Sequence, residues 1–107
     1  MGKTLLAELE LYVLAAVAQL GDDAYGVTIR DEIERRSGRQ CAFGAVYATL
    51  ERLRGKGFIA FHVSAPEPVP GGRSRKCARL TAAGDRALRE TIGAIDEMIA
   101  GLGLRPA

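Results

Sequence analysis

Tryptophan is absent from the 107 residues, and no aromatic residue follows Phe61. The last helix therefore has no ring to stack on a planar ligand. His62 is the only histidine, and Cys41 and Cys77 are the only cysteines. These three are scattered, without the close spacing that metal sites use, so no metal or cofactor is expected. A lone histidine with no acid placed to orient it and no nucleophile motif also argues against an enzyme. Two cysteines make no disulfide framework, which fits free thiols and a cytoplasmic location. Long apolar runs are missing as well. Glu8 and Glu10 interrupt the N-terminal stretch, and the uncharged run Leu11–Gly21 is too short to cross a bilayer. No targeting or membrane segment is expected. The stretch GDDAYGVT, 21–28, has Val27 where a phosphate-binding loop needs lysine.

What is present is an ordinary globular composition, 48% hydrophobic and 26% charged, at a length suited to one domain. A core this small is often supplemented by oligomerisation. The net charge of +2 hides an uneven distribution. Residues 1–23 carry −3 and residues 81–107 carry −1, whereas residues 24–80 carry +6. A basic centre between acidic ends is the footprint of a polyanionic partner.

Hydrophobic spacing orders the elements. Leu6, Leu9, Val13, Val17 and Leu20 form one face of a helix over 4–20. Gly21 stops it, and Asp22 or Asp23 is placed to cap the next. A second helix, 24–36, sets Tyr25, Ile29 and Ile33 on one stripe, and the SGR at 37–39 ends it. A third, 43–55, turns Phe43, Val46, Leu50 and Leu53 inward, leaving Ala45, Tyr47, Ala48, Thr49, Arg52 and Arg54 outward. FIAFHVS, 58–64, reads as a strand, and APEPVPGG, with three of the four prolines, as a loop. RKCARL, 75–80, is a second strand, and Thr81 is the N-cap of a last helix reaching about Leu102.

Helix-helix-helix-strand-wing-strand-helix is the order of a winged helix-turn-helix, a mainly α, α+β fold. Its third helix enters a major groove, which nominates Tyr47, Ala48, Thr49 and Arg52 for DNA contact. Gly72, Arg73, Arg75 and Lys76 lie at or beside the wing tip, where flexible backbone and cationic side chains track phosphates. Arg35, Arg36 and Arg39 also suit the DNA backbone, but Glu32 and Glu34 beside them suit surface ion pairs equally. Residues 1–80 would form the DNA-binding unit and residues 81–107 a dimerisation helix with a short tail, in one compact domain. On that helix Leu88, Ile92, Ile95, Ile99 and Leu102 follow the 4-3-4-3 spacing of a coiled-coil-like seam.

The quoted residues resemble the PadR family of bacterial transcriptional regulators over about residues 5–100. Tyr25-Gly26, Ile29 and Ile33 match its second helix. Gly44, Tyr47, Leu50, Arg52, Leu53, Gly57 and Ile59 match the third helix and the strand after it. Gly72, Arg73, Arg75, Lys76, Leu80, Thr81 and Gly84 match its wing and last-helix start. A single short C-terminal helix is similar to the compact branch. Ala48 stands where the family often has proline, and Cys77 and Ala78 where it often has aromatics. The resemblance implies a homodimeric repressor of near-palindromic double-stranded promoter DNA, released by a small-molecule effector. A cleft between first and last helices would take that effector, with Leu9, Tyr12, Val13, Ile92 and Met98 as its lining. Two other readings remain open from sequence, a protein-binding winged helix and a MarR-like repressor.

Overall fold

The computed structural model describes residues 5–65, 70–71 and 74–104. Helix α1, Glu8–Leu20, leads through a short 3₁₀ turn, Gly21–Asp23, into α2, Gly26–Ser37. Helix α3, Phe43–Gly55, follows, then strands β1, Ile59–Val63, and β2, Lys76–Leu80, and finally α4, Ala82–Ile99. The strands pair antiparallel, with Ile59 opposite Leu80 and Val63 opposite Lys76. On the other edge of β2 the Ala78 amide donates to the Ala24 carbonyl at 2.7 Å, so the turn before α2 extends the hairpin sideways. This is a winged helix-turn-helix, as its element order predicts. Among the described residues no helix is long and apolar enough to cross a membrane.

Helix α1 is the centre of the packing. Val13, Leu14 and Val17 are buried against Ile29 and Ile33 of α2 and Val46, Leu50 and Leu53 of α3. Leu9 and Leu20, expected inward, are only half-buried, while Leu14 and Ala16 are fully inside. The buried arc is wider than one stripe because α1 packs against helices and the hairpin on several sides. Each fully buried leucine contributes roughly 1.5–3 kcal/mol, so these few side chains hold most of the fold.

The helix ends depart from expectation for local reasons. Neither Asp22 nor Asp23 caps α2. Thr28 does so from inside the helix, accepting from the Tyr25 amide at 3.0 Å and donating to the Asp23 carbonyl at 2.5 Å. Thr81 is the N-cap of α4, as predicted, accepting from the Gly84 amide at 3.0 Å. Helix α4 stops at Ile99 and not near Leu102, because Gly101 and Gly103 adopt positive φ. The N-terminal segment is pinned to α4 where the Leu6 amide donates to Thr91 Oγ1 at 3.1 Å.

One buried charge fixes α3 on α1. Glu10 accepts from Lys56 Nζ at 2.7 Å and from the Ala7 amide at 3.0 Å. Burial pushes its carboxyl pKa up, but those hydrogen bonds and the charges of Lys56 and Arg52 outweigh it and hold the group below its ordinary value. The C-terminal end of the third helix is thereby tied to the first.

Candidate nucleic-acid interface

Packing on α1 leaves one side of α3 open. Val46, Thr49, Leu50 and Leu53 are buried, while Gly44, Ala45, Tyr47, Ala48, Glu51, Arg52 and Arg54 are exposed. Thr49 corrects the sequence reading: it is 2% exposed, and its hydroxyl donates to the Ala45 carbonyl at 2.8 Å. A side chain turned back onto its own helix cannot reach a base edge. The spacing hides this because threonine, next to Leu50, sits at the margin of the apolar stripe and is polar only by one hydroxyl.

Tyr47 stands out from α3 but is held at its base. Its ring lies 5.0 Å from that of Phe43, and it leans on Gly26, where a β-carbon would come within 3.0 Å of the ring. The Tyr-Gly pair of α2 thus has a physical reason: glycine clears space for the tyrosine of α3. Phe43, expected inward, is only half-buried, with the Arg30 guanidinium 5.2 Å from its ring centroid.

The base of the wing joins the same surface. Arg75 lies 4.6 Å over the Tyr25 ring, and Lys76 Nζ lies 4.2 Å over Phe61. Both are cation–π contacts, in which the ring face attracts the cation. Lys76 also approaches Glu51 of α3 at 3.6 Å. Cys77 is buried, whereas Arg75, two residues before it and outside the strand, is exposed. Gly72 and Arg73 lie outside the described residues, as does most of the expected wing loop.

Three structural features separate the remaining cations. Arg35 and Arg36 both pair with Glu32, and Arg39 pairs with Glu8 at 3.1 Å, so this cluster takes the ion-pair alternative. Arg52 is exposed on the stripe of Ala48, near enough to Glu10 for its charge to lower that carboxyl. Tyr25, Arg30, Phe43 and Glu51 belong to the surface yet were not among the expected contacts. Tyr25 and Phe43 had been counted with the core because their spacing fits it.

Helix α4 exposes Ile92, Ile95 and Met98, the last by 80%. Leu88, expected in the dimer seam, is instead 8% exposed and belongs to the core of its own chain. Leu102 is exposed but lies beyond the helix, so the helical seam is shorter than its spacing suggests. A groove of about 470 Å³ runs between α1 and α4, lined by Leu5, Leu11, Tyr12, Ile95, Met98 and Ile99 among others. Of the expected cleft residues Tyr12 and Met98 line it, whereas Val13 is sealed in the core and Leu9 and Ile92 lie off the lining. Cys41 is half-buried, and burial, helped by Glu34, raises its thiol pKa away from a reactive thiolate. No group of three potential metal ligands occurs among the described residues.

A winged helix whose third helix presents an open, aromatic and basic face belongs to the architecture of DNA-binding regulators. The model of the transcriptional regulator PadR-like family matches residues 13–90, and the chain belongs to that family. It is a family of regulators, not of enzymes. Comparison with the curated proteins found no match. Among solved structures, the chain is similar to a PadR family transcription regulator from Clostridium difficile R20291, at 24% identity. That likeness covers 89% of this chain and all of the other, with a TM-score of 0.66. A PadR-like regulator from Bacillus cereus is 21% identical over 92% of this chain and 93% of its own, with a TM-score of 0.71. Bacillus subtilis PadR, solved in complex with operator DNA, is 20% identical over 80% of this chain and 47% of its own, with a TM-score of 0.67.

Proposed function

We propose that this chain is a homodimeric repressor that binds promoter DNA and leaves it when a small molecule binds. The observation that carries the reading is the exposure of Tyr47 and Ala48 on α3 together with Arg75 set over Tyr25 and Lys76 over Phe61 at the base of the wing. Tyr47 and Ala48 face the major groove in this reading, and Arg52 and the wing cations, Arg73 included, take phosphates. Residues 1–80 form the DNA-binding unit, and 81–107 carry the dimer contact. The exposed apolar face of α4 supports self-association, since contiguous apolar surface on a small domain marks an interface. The groove between α1 and α4 is where we place the effector, whose entry would change how the two chains sit. Its single aromatic lining residue, Tyr12, suits a ligand that is more aliphatic than planar. Repression as the sign rests on the resemblance to PadR regulators, and a promoter-binding regulator of that kind suits a bacterial cytoplasm.

The test is fluorescence anisotropy with DNA from immediately upstream of the gene, against a shuffled duplex, across about 50–200 mM salt. The expected result is preference for the upstream DNA with a steep salt slope. Replacing Arg73 and Arg75 together by alanine should weaken binding to both duplexes and flatten the slope by up to about two units. No binding to either duplex at low salt would overturn the reading in favour of a protein-binding module.

A further inference from the structure

An acid sits in the middle of this basic surface. Glu51 lies one helical turn beyond Tyr47 on the same stripe of α3, half-exposed, and it holds two cations at once. Its Oε2 accepts from Arg54 Nε at 3.1 Å and from the terminal guanidinium nitrogen at 2.8 Å. Its Oε1 stands 3.6 Å from Lys76 Nζ, which the Phe61 ring supports from 4.2 Å. The pair with Arg54 is local to the helix. The pair with Lys76 is not: it joins the recognition helix to the second strand of the wing.

The ion pairs of a solvated surface contribute little to stability, so this network is a poor candidate for holding the fold. Its effect on binding is larger in kind. A cation counted against phosphate must first leave its carboxylate, and the abandoned carboxylate then faces a polyanion. An unrelated duplex, held by its phosphates alone, meets that cost in full, whereas a duplex read through its base edges can be bound with the cation left on its carboxylate. Contact with the right sequence is helped in addition by base-edge interactions from the neighbouring turn. Resting on the DNA-binding reading above, we propose that Glu51 is a specificity-determining residue, which withholds Lys76 from phosphates and so suppresses binding to unrelated DNA. Specificity is a difference of affinities, and a repulsive element against the wrong partner widens it. The Arg54 hydrogen bonds, joined by the charges of Arg54 and Lys76, hold the Glu51 carboxyl pKa below its ordinary value, so the acid stays ionised.

The test compares the full-length wild type with Glu51→Gln, Lys76→Ala and the double variant. Anisotropy is measured on the upstream and the shuffled duplex over the same salt range. Freeing one cation adds about one phosphate contact, so Glu51→Gln should bind the shuffled duplex about five- to tenfold more tightly near 0.1 M salt. Its salt slope should steepen by about one unit, and its preference for the upstream duplex should fall. In the Lys76→Ala background the same change should have a clearly smaller effect. A wild type that binds no DNA removes the underlying reading. A wild type that binds specifically, with Glu51→Gln unchanged in slope and preference, overturns this inference alone. Loss of affinity for only the upstream duplex would also overturn it, by making Glu51 a direct reader of a base. The site is exposed, and an unchanged thermal midpoint would confirm that the variant is folded.

Discussion

Gly84 has no room for a side chain. A β-carbon there would stand 1.9 Å from the Phe58 carbonyl oxygen, a backbone atom that cannot swing aside. The same carbonyl accepts from the Thr81 amide at 3.1 Å, and the Thr81 hydroxyl donates to the Gly57 carbonyl at 2.6 Å. Thr81 and Gly84 therefore lock the first turn of α4 onto the start of β1, which is what the threonine-x-x-glycine spacing encodes. Gly84→Ala should cost about 3 kcal/mol, at the upper end of overpacking penalties. In a domain of this size that lowers the thermal midpoint by more than about 10 °C. Gly93, on the same helix, is the control, because a β-carbon there meets nothing within 4 Å. Gly93→Ala should raise stability by about 0.5–1 kcal/mol through helix propensity alone. Parallel thermal melts read both, and equal shifts in the two variants would show that the close approach at Phe58 is not what constrains the turn.

Elements are held to one another by fewer groups than hold each together, and Glu10 is the clearest case. It bridges α1 to the end of α3, and its carboxyl pKa is lowered in the folded chain despite the opposing push of burial. A group depressed in this way stabilises the fold fully above its unfolded value of 4.5, and the contribution is lost as pH falls through the folded value. Wild type should therefore lose stability as pH drops below about 4.5, with the lowered pKa values of Glu32 and Glu51 acting in the same direction. Glu10→Gln should be less stable by about 1–2 kcal/mol at neutral pH, with a shallower acid limb. Denaturant melts from pH 3 to pH 7 measure both, and parallel curves for the two proteins would remove Glu10 as a contributor. The elements themselves were legible in the sequence because helix and strand periods are local. Stops at Gly21 and the cap at Thr81 were legible for the same reason. What the residues could not show was which of two marginal positions turns inward. Thr49 went in and Phe43 came half out, since burial at the edge of a stripe depends on the neighbouring element. Tyr25 and Glu51 were missed because their partners, Arg75 and Lys76, lie 50 and 25 positions away in the chain. Only the fold brings them together.

At the scale of the molecule two exposed surfaces differ in character. The face of α3 and the wing is basic and aromatic, whereas α4 presents Ile92, Ile95 and Met98 to solvent. Two copies joined through α4 would aim two recognition helices at half-sites about one helical turn, roughly 34 Å, apart. In the proposed dimer each copy alone would grip weakly, and linkage would supply an avidity of order 10²–10⁴ if the geometry lets both engage. Replacing both Ile95 and Met98 by aspartate should then separate three properties. The fold should persist, because the two side chains are 44% and 80% exposed and lie outside the buried core. Sedimentation equilibrium should find a monomer where the wild type, on this proposal, sediments as a dimer. Affinity for a full palindromic operator should fall by about a hundredfold or more, while affinity for a single half-site barely changes. The salt slope on the full site should drop towards half, because half of the phosphate contacts are lost. A variant that stays dimeric and binds as before would move the self-association surface off α4. A variant that is monomeric yet binds the full site undiminished would show that one copy is the working unit. In either case the groove beside α4 would cease to be a natural place from which a small molecule controls binding.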